Sequence, residues 1–250
     1  MSAREQKLIE TAHTTTIAEQ HLHYRTAGAG TPLVLIHGYG VTGHIWQRML
    51  PYLIQQHQVF IVDLPGHGHS PFTGTWQLRE VAPLLAQWLQ QMKLPPVALM
   101  GQSMGGAIAI HLTAYAPELV KRLVLVSAAG IPFQARLPTL ALRSVHSFFQ
   151  RGNGSYPLEL VQDVLRPRIR LLWQSAQEIA HSDFRAELAT ITVPTLIIWG
   201  ERDVLIPITS GHALSAALPH ATFITLPGCG HRPMLAQPET MSKLVLDFLK

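Results

Sequence analysis

The sequence has little charge and almost no cysteine. Only 14% of its 250 residues are Asp, Glu, Lys or Arg, where about a quarter is usual. So low a charge favours a large share of buried backbone, as in a sheet covered on both faces. The lone cysteine, Cys229, excludes an internal disulfide framework.

Long apolar runs are also missing. No stretch reaches the roughly 20 apolar residues of a membrane span, and residues 1–10, MSAREQKLIE, do not resemble a signal sequence. The net charge is +4, but the basic residues are dispersed, which argues against a nucleic-acid partner. We therefore expect a cytoplasmic protein with a small-molecule substrate. The sequence does not predict its oligomeric state.

Short apolar runs alternate with helical periodicity along most of the chain, which predicts a doubly wound, mostly parallel α/β sheet. The apolar spacing between residues 81 and 89, and again between 241 and 249, is typical of amphipathic helices. Residues 7–27 predict two short antiparallel strands with a turn near 18–20. The strand runs are PLVLI, VFIV, VALM, LVLV, LIIW and TFITL, at 32–36, 59–62, 97–100, 123–126, 196–199 and 222–226.

Residues 131–190 interrupt this alternation, because they contain no convincing strand. Helical stripes are predicted at 137–148, 158–165 and 169–180. We therefore expect a core domain of residues 1–130 and 191–250, with a helical insertion at 131–190. The apolar stripe Leu137, Leu140, Val145, Phe148 and Phe149 could line a pocket or could pack the insertion onto the core.

A candidate nucleophile stands in the sequence Gly101-Gln102-Ser103-Met104-Gly105, which fits G-x-S-x-G. The motif follows a predicted strand and opens a helix, the setting in which a serine hydroxyl is exposed on a strained turn. The two glycines allow a tight turn, and the helix N-terminus favours developing negative charge. Ser103 is therefore predicted to be the nucleophile.

The general base and its acidic partner are chosen by position, because the chain has 14 histidines. Loops that follow different parallel strands meet at one edge of the sheet. His231 follows the last predicted strand, in LPGCGHRP, and Asp203 follows the preceding strand, in GERDVLIP. The order Ser, Asp, His is the one this arrangement uses. Glu201, beside Asp203, suits a salt bridge or a solvated turn.

Two backbone N–H groups are expected to bind the oxyanion of a tetrahedral intermediate. One belongs to Met104 and the other to Tyr39, in the loop His37-Gly38-Tyr39-Gly40. His37 is predicted to brace this loop. The sequence DLPGHGHS at 63–70 carries metal-binding residue types, but its proline and glycines describe a tight turn equally well. No metal or cofactor is expected.

Together these motifs resemble the α/β-hydrolase superfamily, over essentially the whole chain: HGYG, DLPGHGHS, GQSMGG, GERD and GCGHRP stand in that family's order. The resemblance implies the α/β-hydrolase fold with a cap at about 131–190. The members that the chain resembles are small capped esterases, enol-lactone hydrolases and carbon–carbon bond hydrolases. Dehalogenases and epoxide hydrolases of this fold carry Asp at the elbow, where this chain has Ser103. Many carbon–carbon bond hydrolases carry Trp after the histidine, where this chain has Arg232.

The predicted function is hydrolysis of carboxylic esters with small-to-medium apolar acyl groups, through an acyl-enzyme intermediate. Ser103 attacks the carbonyl, His231 moves the proton and Asp203 orients the imidazole. One alternative is a carbon–carbon bond hydrolase acting on ring-cleavage products with the same triad. Another is a ligand receptor that retains the triad but turns over slowly.

Overall fold

The computed structural model describes residues 10–72, 77–132, 139, 142–143, 146–147 and 169–250, with backbone alone at 169–173 and 180. Two predictions lie outside the described residues: the apolar stripe at 137, 140, 145, 148 and 149, and the helix at 158–165. The helix predicted at 169–180 is present at Ile169–His181. No helix of the described residues is long and apolar enough to cross a bilayer.

Eight strands form one sheet in the order β1-β2-β4-β3-β5-β6-β7-β8. The pairs β1–β2 and β2–β4 are antiparallel and the remaining five pairs are parallel. The predicted doubly wound, mostly parallel sheet with an antiparallel edge is therefore confirmed. The strands are β1 Thr11–Ile17, β2 Gln20–Ala27, β3 Thr31–Ile36, β4 His57–Val62, β5 Val97–Gln102, β6 Val120–Val126, β7 Thr195–Gly200 and β8 Ala221–Leu226.

Helices cover both faces of the sheet. Short 3-10 turns occupy Gly43–Trp46 and Pro117–Leu119. Between β6 and β7 the described residues include the helices Ile169–His181 and Arg185–Leu188 and no strand. The helices are α1 Leu50–Leu53, α2 Leu78–Met92, α3 Met104–Tyr115, α4 Ile169–His181, α5 Arg185–Leu188, α6 Ile208–Ala217, α7 Pro233–Ala236 and α8 Pro238–Leu249.

Strand periodicity divides the core into two apolar layers. In β3, Val34 and Ile36 belong to the layer under α2, α3 and α6, whereas Leu33 and Leu35 belong to the layer under α1, α7 and α8. Successive side chains of a strand point to opposite faces, so a strand buried on both faces must be apolar at nearly every position. This explains the continuous apolar runs of the sequence. Because β3 to β8 are parallel to one another, their C-terminal ends lie along one edge of the sheet.

Candidate active site

Ser103 lies at the sharp turn between β5 and α3. Its φ of 54° and ψ of −118° form a strained backbone conformation, of the kind retained where function requires it. Its N–H donates to the carbonyl oxygen of Val126 at 3.0 Å, and its own carbonyl oxygen accepts from Ala129 N–H at 3.0 Å. The end of β6 thus holds the strained turn in place.

The glycines on either side of Ser103 are required by close backbone packing. A Cβ at Gly101 would collide with the backbone of Gly105, and a Cβ at Gly105 would collide with the carbonyl oxygens of Ile36 and His37. The first turn of α3 therefore packs directly on the end of β3. The G-x-S-x-G spacing is thus a steric requirement of this turn.

His231 and Asp203 form a buried hydrogen-bonded pair. The His231 Nδ1–H donates to Asp203 Oδ2 at 2.8 Å, which leaves His231 Nε2 as the nitrogen with a lone pair. Asp203 Oδ1 accepts from the backbone N–H groups of Leu205 and Ile206 at 2.9 and 3.0 Å. The side chains are only 2% and 0% exposed, so their orientation is fixed by packing as well as by hydrogen bonds.

Direct contacts bring the loops of the three predicted residues together. A Cβ at Gly200 would meet the carbonyl oxygen of Cys229 at 2.7 Å, so the loop of Asp203 touches the loop of His231. Gln102, the residue before Ser103, donates from Nε2 to the carbonyl oxygen of His231 at 3.3 Å. Gln102 thereby links the serine turn to the histidine loop, a role that its position in the motif did not reveal.

The predicted oxyanion donors flank Ser103. Met104 is the first residue of α3, where an N–H has no intrahelical acceptor. Tyr39 lies in the loop after β3, between Gly38 and Gly40. A Cβ on Gly38 would lie 3.1 Å from the Cβ of Ser103, so this loop passes immediately beside the serine. Burial raises the pKa of the Tyr39 hydroxyl, which keeps it neutral.

His37 braces the loop that carries Tyr39, as the sequence predicts. Its Nε2 accepts from Leu64 N–H at 2.9 Å, so its Nδ1 carries the proton and donates to the carbonyl oxygen of Gly38 at 2.8 Å. The ring of His67 packs against it, with centroids 5.2 Å apart. Burial, together with the repulsion that a charged His37 would exert, lowers the pKa of His67 to about 3.

Other ionisable side chains in the C-terminal part of the chain occupy supporting or exposed positions. Glu201 accepts from Gly228 N–H at 2.9 Å on an exposed turn. His212 and His220 are exposed. Cys229 is buried, and burial raises the pKa of its thiol, which disfavours the thiolate needed for nucleophilic attack.

Arg232 connects the histidine loop to the insertion. Its guanidinium donates from Nη1 to the hydroxyl of Ser147 at 3.2 Å, and Ser147 is fully buried. The residue that follows His231 therefore reaches across to the segment between β6 and β7. Sequence reasoning recognised that this position carries Arg where Trp is common, but it gave no indication of the contact.

Comparison with known proteins places the chain in a family. The alpha/beta hydrolase family matches residues 33–244. A pimeloyl-[acyl-carrier protein] methyl ester esterase of Nitrosomonas europaea is 31% identical, covering 87% of this chain and 95% of the relative; that of Photobacterium profundum is 30% identical, covering 92% and 98%. The structure of a bromoperoxidase from Bacillus anthracis superposes with a TM-score of 0.86 at 21% identity, covering 96% of this chain and 99% of the other.

The chain belongs to the alpha/beta hydrolase family. Its relatives named above hydrolyse a carboxylic ester, and the chain is a carboxylic ester hydrolase. The bromoperoxidase likeness shows a shared fold alone, because a fold hosts many chemistries.

Proposed function

We propose that this chain hydrolyses a methyl ester at the end of an acyl chain carried by acyl carrier protein, with Ser103, His231 and Asp203 as the catalytic triad. The observation that carries the triad is the buried 2.8 Å hydrogen bond between His231 and Asp203, beside a serine held at a strained turn. The substrate class rests on the relatives named above.

The reaction runs through an acyl-enzyme intermediate. Ser103 Oγ attacks the ester carbonyl while His231 Nε2 removes its proton, and the N–H groups of Tyr39 and Met104 bind the oxyanion. His231 then protonates the leaving methoxide, which departs as methanol and leaves the acyl group on Ser103. Water, deprotonated by His231, attacks this ester and releases the free acid. Asp203 stabilises the imidazolium at both steps.

The core domain of residues 1–130 and 191–250 supplies every group in this scheme. The segment 131–190 is proposed to act as a cap that covers the active-site edge. The contact from Arg232 to Ser147 supports this role, because it ties that segment to the histidine loop. A cytoplasmic location remains part of the proposal, as does a partner limited to the substrate and its carrier, without nucleic acid.

The test is methanol release from pimeloyl-acyl carrier protein methyl ester, with p-nitrophenyl esters of increasing acyl length in parallel. For each substrate, the catalysed rate is divided by the uncatalysed rate. This ratio should be larger for the carrier-bound ester than for any p-nitrophenyl ester of equal acyl length. Ser103→Ala should abolish turnover, and a rapid acid quench of wild type should show the acyl group on the Ser103 peptide by mass spectrometry.

Ser127→Ala is the matched control. Ser127 also follows a strand, has φ of 42° and is fully buried, but its hydroxyl has no hydrogen-bond partner among the described residues. Its replacement should leave turnover unchanged. Activity on p-nitrophenyl esters alone would overturn the carrier-bound substrate. Inactivity on every ester, with cleavage of a ring-fission diketone, would favour the carbon–carbon hydrolase; inactivity on both would favour a receptor.

A further inference from the structure

Two histidines and an aspartate converge where the first half of β2 runs beside the end of β4. His23 Nδ1 lies 3.1 Å from Asp63 Oδ2, and His69 Nδ1 lies 3.6 Å from the same oxygen. All three ligand-type atoms lie within 4.8 Å of one another. None of these side chains has a role in the proposed ester hydrolysis.

The spacing of the two histidine nitrogens from Asp63 Oδ2 fits a transition-metal ion. With metal–ligand bonds of about 2.0 Å, neighbouring ligand atoms of a tetrahedral Zn²⁺ site are about 3.3 Å apart. The two distances to Asp63 Oδ2, 3.1 and 3.6 Å, bracket that value. Imidazole nitrogen and carboxylate oxygen are the ligands that Zn²⁺ and its first-row neighbours prefer. A water molecule would complete a fourth position.

The backbone holds the aspartate and His23 in place before any ion binds. Asp63 N–H donates to the carbonyl oxygen of His23 at 3.0 Å. His23 N–H donates to Ser70 Oγ at 2.8 Å, and the Ser70 hydroxyl donates to the carbonyl oxygen of Asp63 at 2.6 Å. Such preorganisation lowers the cost of assembling a site. The carboxylate is also oriented by Gly43 N–H, which donates to Oδ1 at 3.2 Å.

The protonation state and access suit a cation. The backbone N–H groups of Gly43 and His69 donate to the Asp63 carboxylate at 3.2 Å each. Hydrogen bonds of this kind favour the ionised carboxylate, which is the form that binds a cation. The His69 side chain is 58% exposed, so an ion reaches the site from solvent and the ring can turn toward it without repacking the core.

We propose that His23, Asp63 and His69 bind one divalent first-row transition-metal ion, which joins β2 to the turn after β4. His23 and His69 would coordinate through Nδ1 as neutral rings with the proton on Nε2, and Asp63 through Oδ2. The ion is structural, and the proposed ester hydrolysis proceeds without it. From the sequence, the segment 63–70 is interpreted as a tight turn and no metal is expected, and nothing there connects the segment with His23, which comes from a distant strand.

The test uses the untagged full chain, from which metal is first removed with a chelator. Zn²⁺ binding is then measured by competition with a second chelator that changes colour when it binds Zn²⁺. Wild type should bind one Zn²⁺ per chain, and bound Zn²⁺ should raise its melting temperature. Co²⁺ in place of Zn²⁺ should give visible d–d absorption. His69→Ala, an exposed change that preserves the fold, should weaken binding by at least about tenfold and remove the thermal shift.

His21→Ala is the matched control, because His21 is an exposed histidine of the same strand and should leave binding unchanged. His23→Gln should also lose binding, while its side-chain amide can still donate to Asp63. Absence of Zn²⁺ uptake by wild type would overturn the proposal and leave the three side chains as a hydrogen-bonded brace. Equal affinity of wild type and His69→Ala would overturn it too. Neither result bears on ester hydrolysis, which is measured separately.

Discussion

Replacing Asp203 by Asn tests the base–acid pair while preserving its shape. The Asn oxygen can still accept from the N–H groups of Leu205 and Ile206, as Asp203 Oδ1 does at 2.9 and 3.0 Å. The amide NH₂ then faces His231 Nδ1, where a carboxylate oxygen accepts at 2.8 Å in the native protein. Two donors cannot share that contact, so His231 must move its proton to Nε2.

The consequence is a large loss of rate with little loss of stability. A histidine protonated on Nε2 has no lone pair for the Ser103 proton, and a change of this kind in serine proteases lowers kcat by about 10⁴-fold. That factor corresponds to about 5.5 kcal/mol of transition-state stabilisation. Since both backbone hydrogen bonds survive, the urea midpoint should change little.

The assay compares kcat and KM for ester hydrolysis by wild type, Asp203→Asn and Glu201→Gln. Glu201 is the matched control, because it is a neighbouring carboxylate that accepts from Gly228 N–H on an exposed turn. Its replacement should leave kcat within about twofold, as expected for an exposed group. If Asp203→Asn kept kcat within tenfold of wild type, the role given to this pair would be refuted.

Three further changes probe the surroundings of the site. Gly105→Ala places a Cβ against the carbonyl oxygen of Ile36 and should cost about 3 kcal/mol or more in urea unfolding. His67 has a folded pKa of about 3 against about 6.5 when unfolded, so the unfolded state binds more protons below pH 6.5 and stability falls as pH falls. Between pH 7.5 and 5, wild type should therefore lose about 2 kcal/mol more stability than His67→Phe, by urea denaturation. Arg232→Ala removes the charge-assisted hydrogen bond to Ser147 and should raise KM for the carrier-bound ester by about tenfold, with Arg232→Lys intermediate; an unchanged KM would contradict the link to the cap.

Strands β3 to β7 were predictable because their residues are largely buried on both faces of the sheet. The run PLVLI at 32–36 corresponds to β3, Thr31–Ile36, and the other runs fall inside the observed strands within three residues at each end. The strand ends matter most, because they place the loops of Ser103, Asp203 and His231 at one sheet edge. Selecting one histidine among 14 needed only strand order and the glycine-rich loop around it.

Contacts between distant segments were not predictable, because neither partner carries a local signal. Gln102 donates to the carbonyl oxygen of His231, 129 positions along the chain, and any residue type could supply that acceptor. The contact of Arg232 with Ser147 spans 85 positions. Apolar periodicity reports which face of an element is buried, but it does not report which polar atoms meet across a loop.

The position of His23 shows that the pairing register of two strands is what the sequence alone did not provide. β2 is antiparallel to β4, in the register that pairs Tyr24 with Val62 and Arg25 with Ile61. Continuing that register by one residue brings His23 to Asp63, 40 positions away. A slip of one residue would turn the imidazole to the opposite face of the sheet. The apolar pattern of β2 does not fix its partner strand, so the convergence of His23, Asp63 and His69 depends on a register that only the folded sheet determines.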